Sequence, residues 1–236
     1  MNIILCEANE LSSDHMIRLS GRRYEHIRNV LKCAVGDQVR VGIVDGAKGT
    51  GQVLAINTET LELQVELKEP PLPYHPATLI LALPRPKMLR RILRSCAEFG
   101  VQNIHIIQSY RVEKSYWQSP LLQPQKVRQA LLAGLERSGD TRLPKITLHR
   151  RFKPFIEDQL KEIAEGTPIL LAHPGDFSPM ETSFTEPRLI MIGPEGGFIP
   201  YEVDLACQAG AQPRTLGTRI LSVDTAVPAV LGRALT

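Results

Sequence analysis

A glycine-rich segment in the C-terminal quarter of the chain has residue types suited to holding a small ligand. The apolar residues 189–192 predict a buried strand, and Gly193-Pro194-Glu195-Gly196-Gly197 follows it directly. Ligands of open α/β sheets bind beyond the carboxyl ends of the strands, where glycine lets the backbone approach and donate N–H groups. The segment lacks both the G-x-G-x-x-G spacing of dinucleotide sites and the Gly-Lys-Ser/Thr of a P-loop. A ligand site and a tight strand–helix turn both fit it.

Two further segments resemble the first in joining a strand to a turn or loop. They are Leu170-Leu171-Ala172-His173-Pro174-Gly175 and Leu216-Gly217-Thr218-Arg219-Ile220-Leu221-Ser222-Val223-Asp224-Thr225-Ala226. Taken singly, His173 fits a structural or surface histidine, and Asp224 or Thr225 fits a helix cap. Three such loops in one domain favour a shared ligand site more strongly than any one of them.

The elements that must position these loops alternate along the C-terminal two thirds of the chain. Apolar runs predict strands at 78–83, 104–108, 168–172 and 188–192, with a segment at 211–216 leading into the last loop. Helical spacing and capping residues predict helices at 87–99, 123–137, 200–209 and 225–235. Such alternation is typical of an α/β domain with a mainly parallel sheet.

The N-terminal part of the chain has a different pattern. Alternating apolar residues predict strands at 39–44, 51–56 and 61–67, a first strand lies near residues 3–6, and 20–32 has helical spacing. Prolines at 70, 71, 73 and 76 forbid a continuing helix or central strand. We therefore expect a small β domain over 1–70, a proline-rich linker over 70–76, and an α/β domain over 77–236.

Charge is segregated within a chain whose net charge is only +3. Residues 71–153 carry fifteen basic against four acidic residues, which suggests a surface that faces a polyanion. Lys87, Arg90, Arg91 and Arg94 recur at three- and four-residue steps, so most of them share one face of a helix. A nucleic-acid surface and a solvated helix face both fit this pattern.

Composition limits the other classes of protein. The four cysteines lie far apart, at 6, 33, 96 and 207, so no zinc spacing is present and a reducing, cytoplasmic compartment is expected. The apolar runs are too short to span a bilayer, so no membrane association is expected. No nucleophile elbow or dinucleotide motif favours a hydrolase or a dehydrogenase.

The motifs in combination resemble the RsmE family. The resemblance rests on Gly-Pro-Glu-Gly-Gly-Phe at 193–198, followed by Leu-Gly-x-Arg-Ile-Leu-x-x-acid-Thr-Ala at 216–226. Residues 21–31 and Gly36-Asp37-Gln38-Val39 look like the PUA-like domain of that family, and Lys87, Glu98-Phe99-Gly100-Val101 and Arg142-Leu143-Pro144 fit its middle. This family methylates N3 of a uridine in small-subunit ribosomal RNA and belongs to the SPOUT class.

The resemblance implies a fold, a cofactor and partners. The fold is a SPOUT-type parallel sheet with a C-terminal trefoil knot, preceded by a small PUA-like β-barrel domain. The cofactor is S-adenosyl-L-methionine, with no metal, and the partners are ribosomal RNA in the small ribosomal subunit and a second copy of the chain. Carried over residue by residue, the cofactor contacts are Leu171, Ala172, His173, Gly193, Pro194, Glu195, Gly196, Gly197, Leu216, Gly217, Ile220, Leu221 and Ser222.

Roles in catalysis and RNA binding are expected for a second set of residues. A cation near a uracil oxygen would help the N3 proton leave, and Arg219 is the first candidate for it. Asp224 or Glu195 is the candidate proton acceptor, although Glu195 fits a structural role equally well. The candidate RNA-binding residues are Arg22, Arg23 and Arg28 in the N-terminal domain and Lys87, Arg90, Arg91 and Arg94 in the basic stretch.

The chain also departs from the family pattern. The third loop usually has Leu-Arg-Thr-Glu-Thr-Ala, and here it is Leu221-Ser222-Val223-Asp224-Thr225-Ala226. The middle has Gly134-Leu135-Glu136-Arg137-Ser138 in place of an Ala-x-Glu-Gln segment. These changes leave two alternatives open: a SPOUT RNA methyltransferase with another target base or ribose, and a non-catalytic RNA-binding relative.

Overall fold

The computed structural model describes residues 2–235, which form two compact units. The first unit comprises residues 2–73 and 132–143, and the second comprises 74–131 and 144–235.

The first unit is built on a five-stranded sheet in the order β1-β3-β4-β5-β2. Its strands are β1 (Ile4–Cys6), β2 (Met16–Ser20), β3 (Gln38–Ile43), β4 (Lys48–Ile56) and β5 (Thr60–Glu69). Only β1 and β3 pair in parallel, and the other pairs are antiparallel. The outer strands β1 and β2 do not pair with each other within residues 2–235, so the expected barrel is a half-barrel.

Alternation along β5 accounts for the core of this unit. Leu61, Leu63 and Val65 are buried, as the strict alternation predicted. Helix α1 (Gly21–Glu25) continues into a π-helical segment, His26–Leu31, and buries Tyr24 in the same core. The helical spacing predicted for 20–32 is therefore confirmed.

Residues 132–143 complete the first unit through polar contacts that their sequence did not signal. The Lys48 ammonium donates to the carbonyl oxygen of Gly139 at 3.0 Å, and the Thr141 hydroxyl donates to that of Gly46 at 2.6 Å. The carboxylate of Asp45 accepts from the backbone N–H of Leu143 at 2.7 Å. Lys48 is buried, so its bond to a carbonyl dipole offsets part of its desolvation.

The second unit is built on a six-stranded sheet in the order β11-β9-β10-β6-β7-β8, with every pair parallel. Its strands are β6 (Ala77–Ala82), β7 (Asn103–Ile107), β8 (Lys145–His149), β9 (Ile169–Ala172), β10 (Arg188–Ile192) and β11 (Ala211–Arg214). The helices that begin in it are α2 (Pro86–Glu98), α3 (Pro124–Ser138), α4 (Phe152–Pro154), α5 (Leu160–Ala164), α6 (Pro200–Gln208) and α7 (Val223–Leu231). The predicted α/β class is confirmed.

The last helix, α7, is covered within its own unit. Five of its residues, Val223, Ala226, Val227, Val230 and Leu231, are buried, and α7 packs against α2. The His75 side chain fixes the end of α7, because its Nδ1 accepts from the N–H of Ala77 at 3.0 Å. Its Nε2 therefore carries the proton and donates to the carbonyl oxygen of Leu231 at 2.9 Å.

Residues 2–235 contain neither a membrane-spanning helix nor a cluster of metal ligands. None of their helices combines the length and the hydropathy needed to cross a bilayer. No three of their His, Cys, Asp and Glu side chains are grouped as a metal site would require.

Two of the cysteines are buried thiols. Burial raises the pKa of both Cys6 and Cys96 to about 12, so these thiols are unreactive near neutral pH.

Candidate functional site

One cleft opens where the neighbouring strands β9, β10 and β11 end. The three loops singled out from the sequence follow these strands and together line the cleft. The cleft encloses about 610 Å³, a volume that includes the part open to solvent. Ten of the thirteen predicted cofactor residues line the cleft: Ala172, His173, Gly193, Pro194, Glu195, Gly197, Leu216, Gly217, Ile220 and Leu221. Parallel strands end at one edge of the sheet, which is why loops distant in sequence meet there.

The other three predicted cofactor residues are not among those that line the cleft. Leu171 is fully buried in β9. A side chain on Gly196 would point at Arg111, whose Cδ would lie 2.9 Å from the added Cβ. Ser222 is the N-cap residue of α7, and its hydroxyl donates to Asp224 at 2.7 Å and lies 2.9 Å from the Thr225 hydroxyl.

The turn after β10 requires glycine at defined positions. Gly197 has a φ of 71°, and its N–H donates to the carbonyl oxygen of Pro194 at 2.7 Å. A Cβ on Gly193 would lie 3.1 Å from the backbone nitrogen of Phe198, so the two ends of the turn approach as closely as glycine permits. The glycines of the turn therefore leave its backbone open to the cleft, and Pro194 and Glu195 are its only residues with side chains there among residues 2–235.

The walls of the cleft are mainly apolar, with four polar side chains among them. The apolar surface comes from Ile192, Leu216, Ile220, Leu221 and Val223, and the polar groups come from His173, Glu195, Thr215 and Arg219. Apolar walls with a few oriented polar groups suit a flat, neutral heterocycle.

The histidine and the carboxylate of the cleft have defined environments. Burial, and then the positive charge of Arg111, lower the pKa of His173, so its ring is neutral near pH 7. Glu195 is exposed, and its carboxylate accepts from the backbone N–H of Arg85 at 2.9 Å. Arg85 precedes α2, so this bond joins the loop after β6 to the loop after β10.

Asp224 does not join Arg219 and Glu195 in lining the cleft. One oxygen of its carboxylate accepts from the Ser222 hydroxyl, and the other lies 3.7 Å from the guanidinium of Arg91. Asp224 is therefore held at the junction of α7 with α2.

The predicted RNA-binding residues have different surroundings in the two units. On α2, Lys87, Arg90 and Arg91 are exposed, while Arg94 is half-buried and its Nε has no hydrogen-bond partner among residues 2–235.

In the first unit, all three predicted arginines have partners. The guanidinium of Arg22 donates to both carboxylate oxygens of Glu136, and that of Arg23 to both oxygens of Glu10 and to the carbonyl oxygen of Leu5. The Arg28 guanidinium contacts the hydroxyl of Tyr24.

The structure also reveals residues that the sequence reasoning missed. Arg111, in the loop after β7, donates from its guanidinium to the carbonyl oxygen of Gly196. The buried carboxylate of Glu202 accepts from the backbone N–H groups of Tyr110 at 2.7 Å and Ile199 at 3.1 Å. The one signal in the sequence was the position of Ser109-Tyr110-Arg111 directly after a predicted parallel strand.

Comparison with known proteins agrees with this geometry. A model described as the RNA methyltransferase domain matches residues 70–235, and one described as the RNA methyltransferase PUA domain matches residues 19–66. A ribosomal RNA small subunit methyltransferase E of Synechocystis sp. is 30% identical over 240 residues, covering 97% of this chain and 76% of the relative. Another, from Treponema pallidum, is 29% identical over 232 residues, covering 96% and 87%.

A solved structure has the same fold over nearly the whole chain. The ribosomal RNA small subunit methyltransferase E of Neisseria gonorrhoeae, bound to S-adenosyl methionine, superposes with a TM-score of 0.77 at 20% identity and covers 98% of this chain and 95% of its own. Because the RNA methyltransferase model spans well over half of the sequence and a relative is 30% identical along it, this chain belongs to the RNA methyltransferase family that includes the ribosomal RNA small subunit methyltransferases E.

Proposed function

We propose that the protein transfers a methyl group from S-adenosylmethionine to N3 of a uridine in small-subunit ribosomal RNA. The observation that carries this proposal is the single cleft lined by the loops after β9, β10 and β11. The names of the relatives, and the S-adenosyl methionine bound to the Neisseria enzyme, support the same cofactor and substrate class.

The cleft has the groups that such a cofactor needs. Leu216, Ile220 and Leu221 would hold the adenine, and the backbone of the glycine turn would donate hydrogen bonds to it. A neutral His173 would avoid repelling a positively charged sulfonium. Once bound, the cofactor supplies an electrophilic methyl group, so the chain needs no metal for this chemistry.

The remaining chemistry falls to two side chains of the cleft. Arg219 would place its positive charge beside a uracil oxygen, which stabilises the negative charge that develops as the N3 proton leaves. The Glu195 carboxylate would accept that proton, with the N–H of Arg85 fixing its orientation. Asp224 would then act as a positioning residue, holding α7 against α2 through Arg91.

The exposed basic face of α2 and the first unit would bind the RNA backbone. Lys87, Arg90 and Arg91 are open to solvent, whereas Arg22 and Arg23 would contact RNA from within their ion pairs.

We further propose the boundaries 1–70 and 77–236 for the domains, a C-terminal trefoil knot, a homodimer, and action in the cytoplasm on the small ribosomal subunit.

Methyl transfer itself tests the proposal. Purified protein with isotope-labelled S-adenosylmethionine should label small-subunit ribosomal RNA, presented either free or in the assembled subunit. Arg219→Ala should lower the rate by roughly 10²-fold, as loss of one charge-stabilising group does elsewhere, and leave cofactor affinity within a few-fold. Lys161→Ala, an exposed cation on α5, is the control and should keep full activity. Absence of label in ribosomal RNA with the wild-type protein would refute the proposal.

A further inference from the structure

The loop after β7 presents aromatic and basic side chains beside the cleft. We propose that this segment, the 109–117 loop, binds an unpaired nucleotide of the RNA substrate by stacking its base on Tyr110, while Arg111 contacts the adjoining phosphate. The proposal rests on the proposed function and adds a substrate surface to it, separate from the basic face of α2.

The Tyr110 ring is exposed, but its backbone is fixed. The residue is 78% exposed, yet its N–H donates to Glu202, which is only 3% exposed. The next residue but one, Val112, is buried, and the side-chain amide of Gln108 donates to the carbonyl oxygens of Ser109 at 2.6 Å and Val112 at 3.3 Å. An exposed ring on a fixed backbone loses little conformational entropy when a base stacks on it.

The loop also touches the cleft directly. Arg111 donates to the carbonyl oxygen of Gly196, between two residues that line the cleft, Glu195 and Gly197. A nucleotide held on Tyr110 would therefore lie close to the target base rather than at a remote surface.

Charge in the loop and in the neighbouring residues 150–151 is complementary to RNA. Four basic residues, Arg111, Lys114, Arg150 and Arg151, accompany one acidic residue, Glu113, in residues 109–117 and 150–151. The Arg150 guanidinium lies 5.1 Å from the centre of the Trp117 ring, and Trp117 donates from its indole to Gln108. Aromatic rings beside phosphate-binding cations are what single-stranded RNA requires.

Binding of a fluorescein-labelled 12-nucleotide oligouridine, followed by anisotropy, tests the assignment. Tyr110→Ala should weaken binding by about 5- to 100-fold, the loss typical of removing one stacking ring, and Tyr110→Phe should bind within about twofold of wild type because it keeps the ring. Tyr201→Ala removes another exposed tyrosine, on α6, and should have no effect. Calorimetry with S-adenosylmethionine should give the same affinity for all three variants, because Tyr110 and Tyr201 lie outside the cleft lining.

A cross-linking experiment gives an independent readout. Oligouridine carrying 4-thiouridine should cross-link to residues 109–117 on irradiation, as mapped by peptide mass spectrometry. Unchanged binding by Tyr110→Ala, equal loss in Tyr201→Ala, or cross-links only elsewhere would overturn the inference, even if the wild-type protein methylates ribosomal RNA. Binding through Tyr110 without methyl transfer would refute the proposed function and leave this RNA surface in place.

Discussion

The backbone N–H of Arg85 donates to the carboxylate of Glu195 at 2.9 Å. This bond joins the loop after β6 to the glycine turn after β10, and Glu195 also lines the cleft. The same carboxylate thus holds the turn and also lines the cleft, where we propose that it accepts a proton.

Two substitutions at Glu195 separate these roles. Glu195→Gln keeps an acceptor for Arg85 but removes the basic carboxylate, so kcat should fall by roughly 10²- to 10⁴-fold if proton acceptance is its role. Cofactor affinity and the melting temperature should stay near the wild-type values. The second substitution, Glu195→Ala, removes the acceptor for Arg85 as well. If Glu195→Gln keeps full activity while Glu195→Ala lowers the melting temperature, the role of Glu195 is structural only.

Glycine is required at Gly193 rather than at Gly196 for the shape of the cleft. Gly193→Ala would force Phe198 away by a few tenths of an ångström, and such overpacking costs about 1 kcal/mol or more. We expect calorimetry to give roughly fivefold or weaker affinity for S-adenosylmethionine. As the control, Gly232→Ala adds a methyl group that meets open space in the same unit, so this variant should bind S-adenosylmethionine with wild-type affinity.

Gly196→Ala tests the other glycine of the turn. The added methyl group meets the flexible Arg111 side chain, so this variant should weaken cofactor binding less than Gly193→Ala does. The reverse order would contradict this description of the turn.

Cofactor affinity should depend on pH through His173. Burial and the positive charge of Arg111 lower the pKa of His173, so the ring is neutral at pH 7 and takes up a proton only as the pH falls below the ordinary pKa of histidine. A protonated ring would repel the sulfonium, so the affinity should be constant above neutrality and decline as the pH falls below the ordinary histidine pKa of about 6.5. His173→Gln should remove this decline in calorimetric titrations. A decline that persists in the variant would assign the effect to another group.

The basic face of α2 should govern the salt dependence of RNA binding. Lys87 and Arg90 are exposed, so replacing both with Gln should reduce the slope of log affinity against log salt by roughly one unit for each RNA phosphate that is no longer neutralised. Affinity for S-adenosylmethionine should not change. If the slope of the variant equals that of the wild type, this face of α2 is exposed to solvent and does not contact RNA phosphates.

Strong periodicity and strand-end position made most of the second unit predictable. The strands at 188–192 and 168–172 are apolar except for Arg188, and each is followed by a glycine or Pro-Gly turn. Their existence and their meeting point therefore followed from the rules of parallel sheets. The sequence did not predict two edge strands, β8 (Lys145–His149) and β2 (Met16–Ser20), because each is short and half-polar.

Tertiary contacts were the part that sequence could not supply. The placement of residues 132–143 in the first unit depends on single hydrogen bonds such as that from Lys48 to Gly139, which leave no periodic signal. Arg111 and Glu202 act through the backbone of distant loops, so their residue types alone did not indicate a role. Conversely, Asp224 looked like a proton acceptor from its neighbours in sequence, and in the structure it lies outside the cleft lining.

The most direct test of the central claim is the identity of the methylated nucleoside. Small ribosomal subunits lacking the modification would be incubated with the purified protein and S-adenosylmethionine, and their ribosomal RNA would be digested to nucleosides and analysed by mass spectrometry. We predict a single new product, N3-methyluridine, which should form at least roughly 10²-fold more slowly when Glu195→Gln or Arg219→Ala replaces the wild type. A methyl group on another base or on a ribose oxygen, or no methylated product at all, would contradict the account.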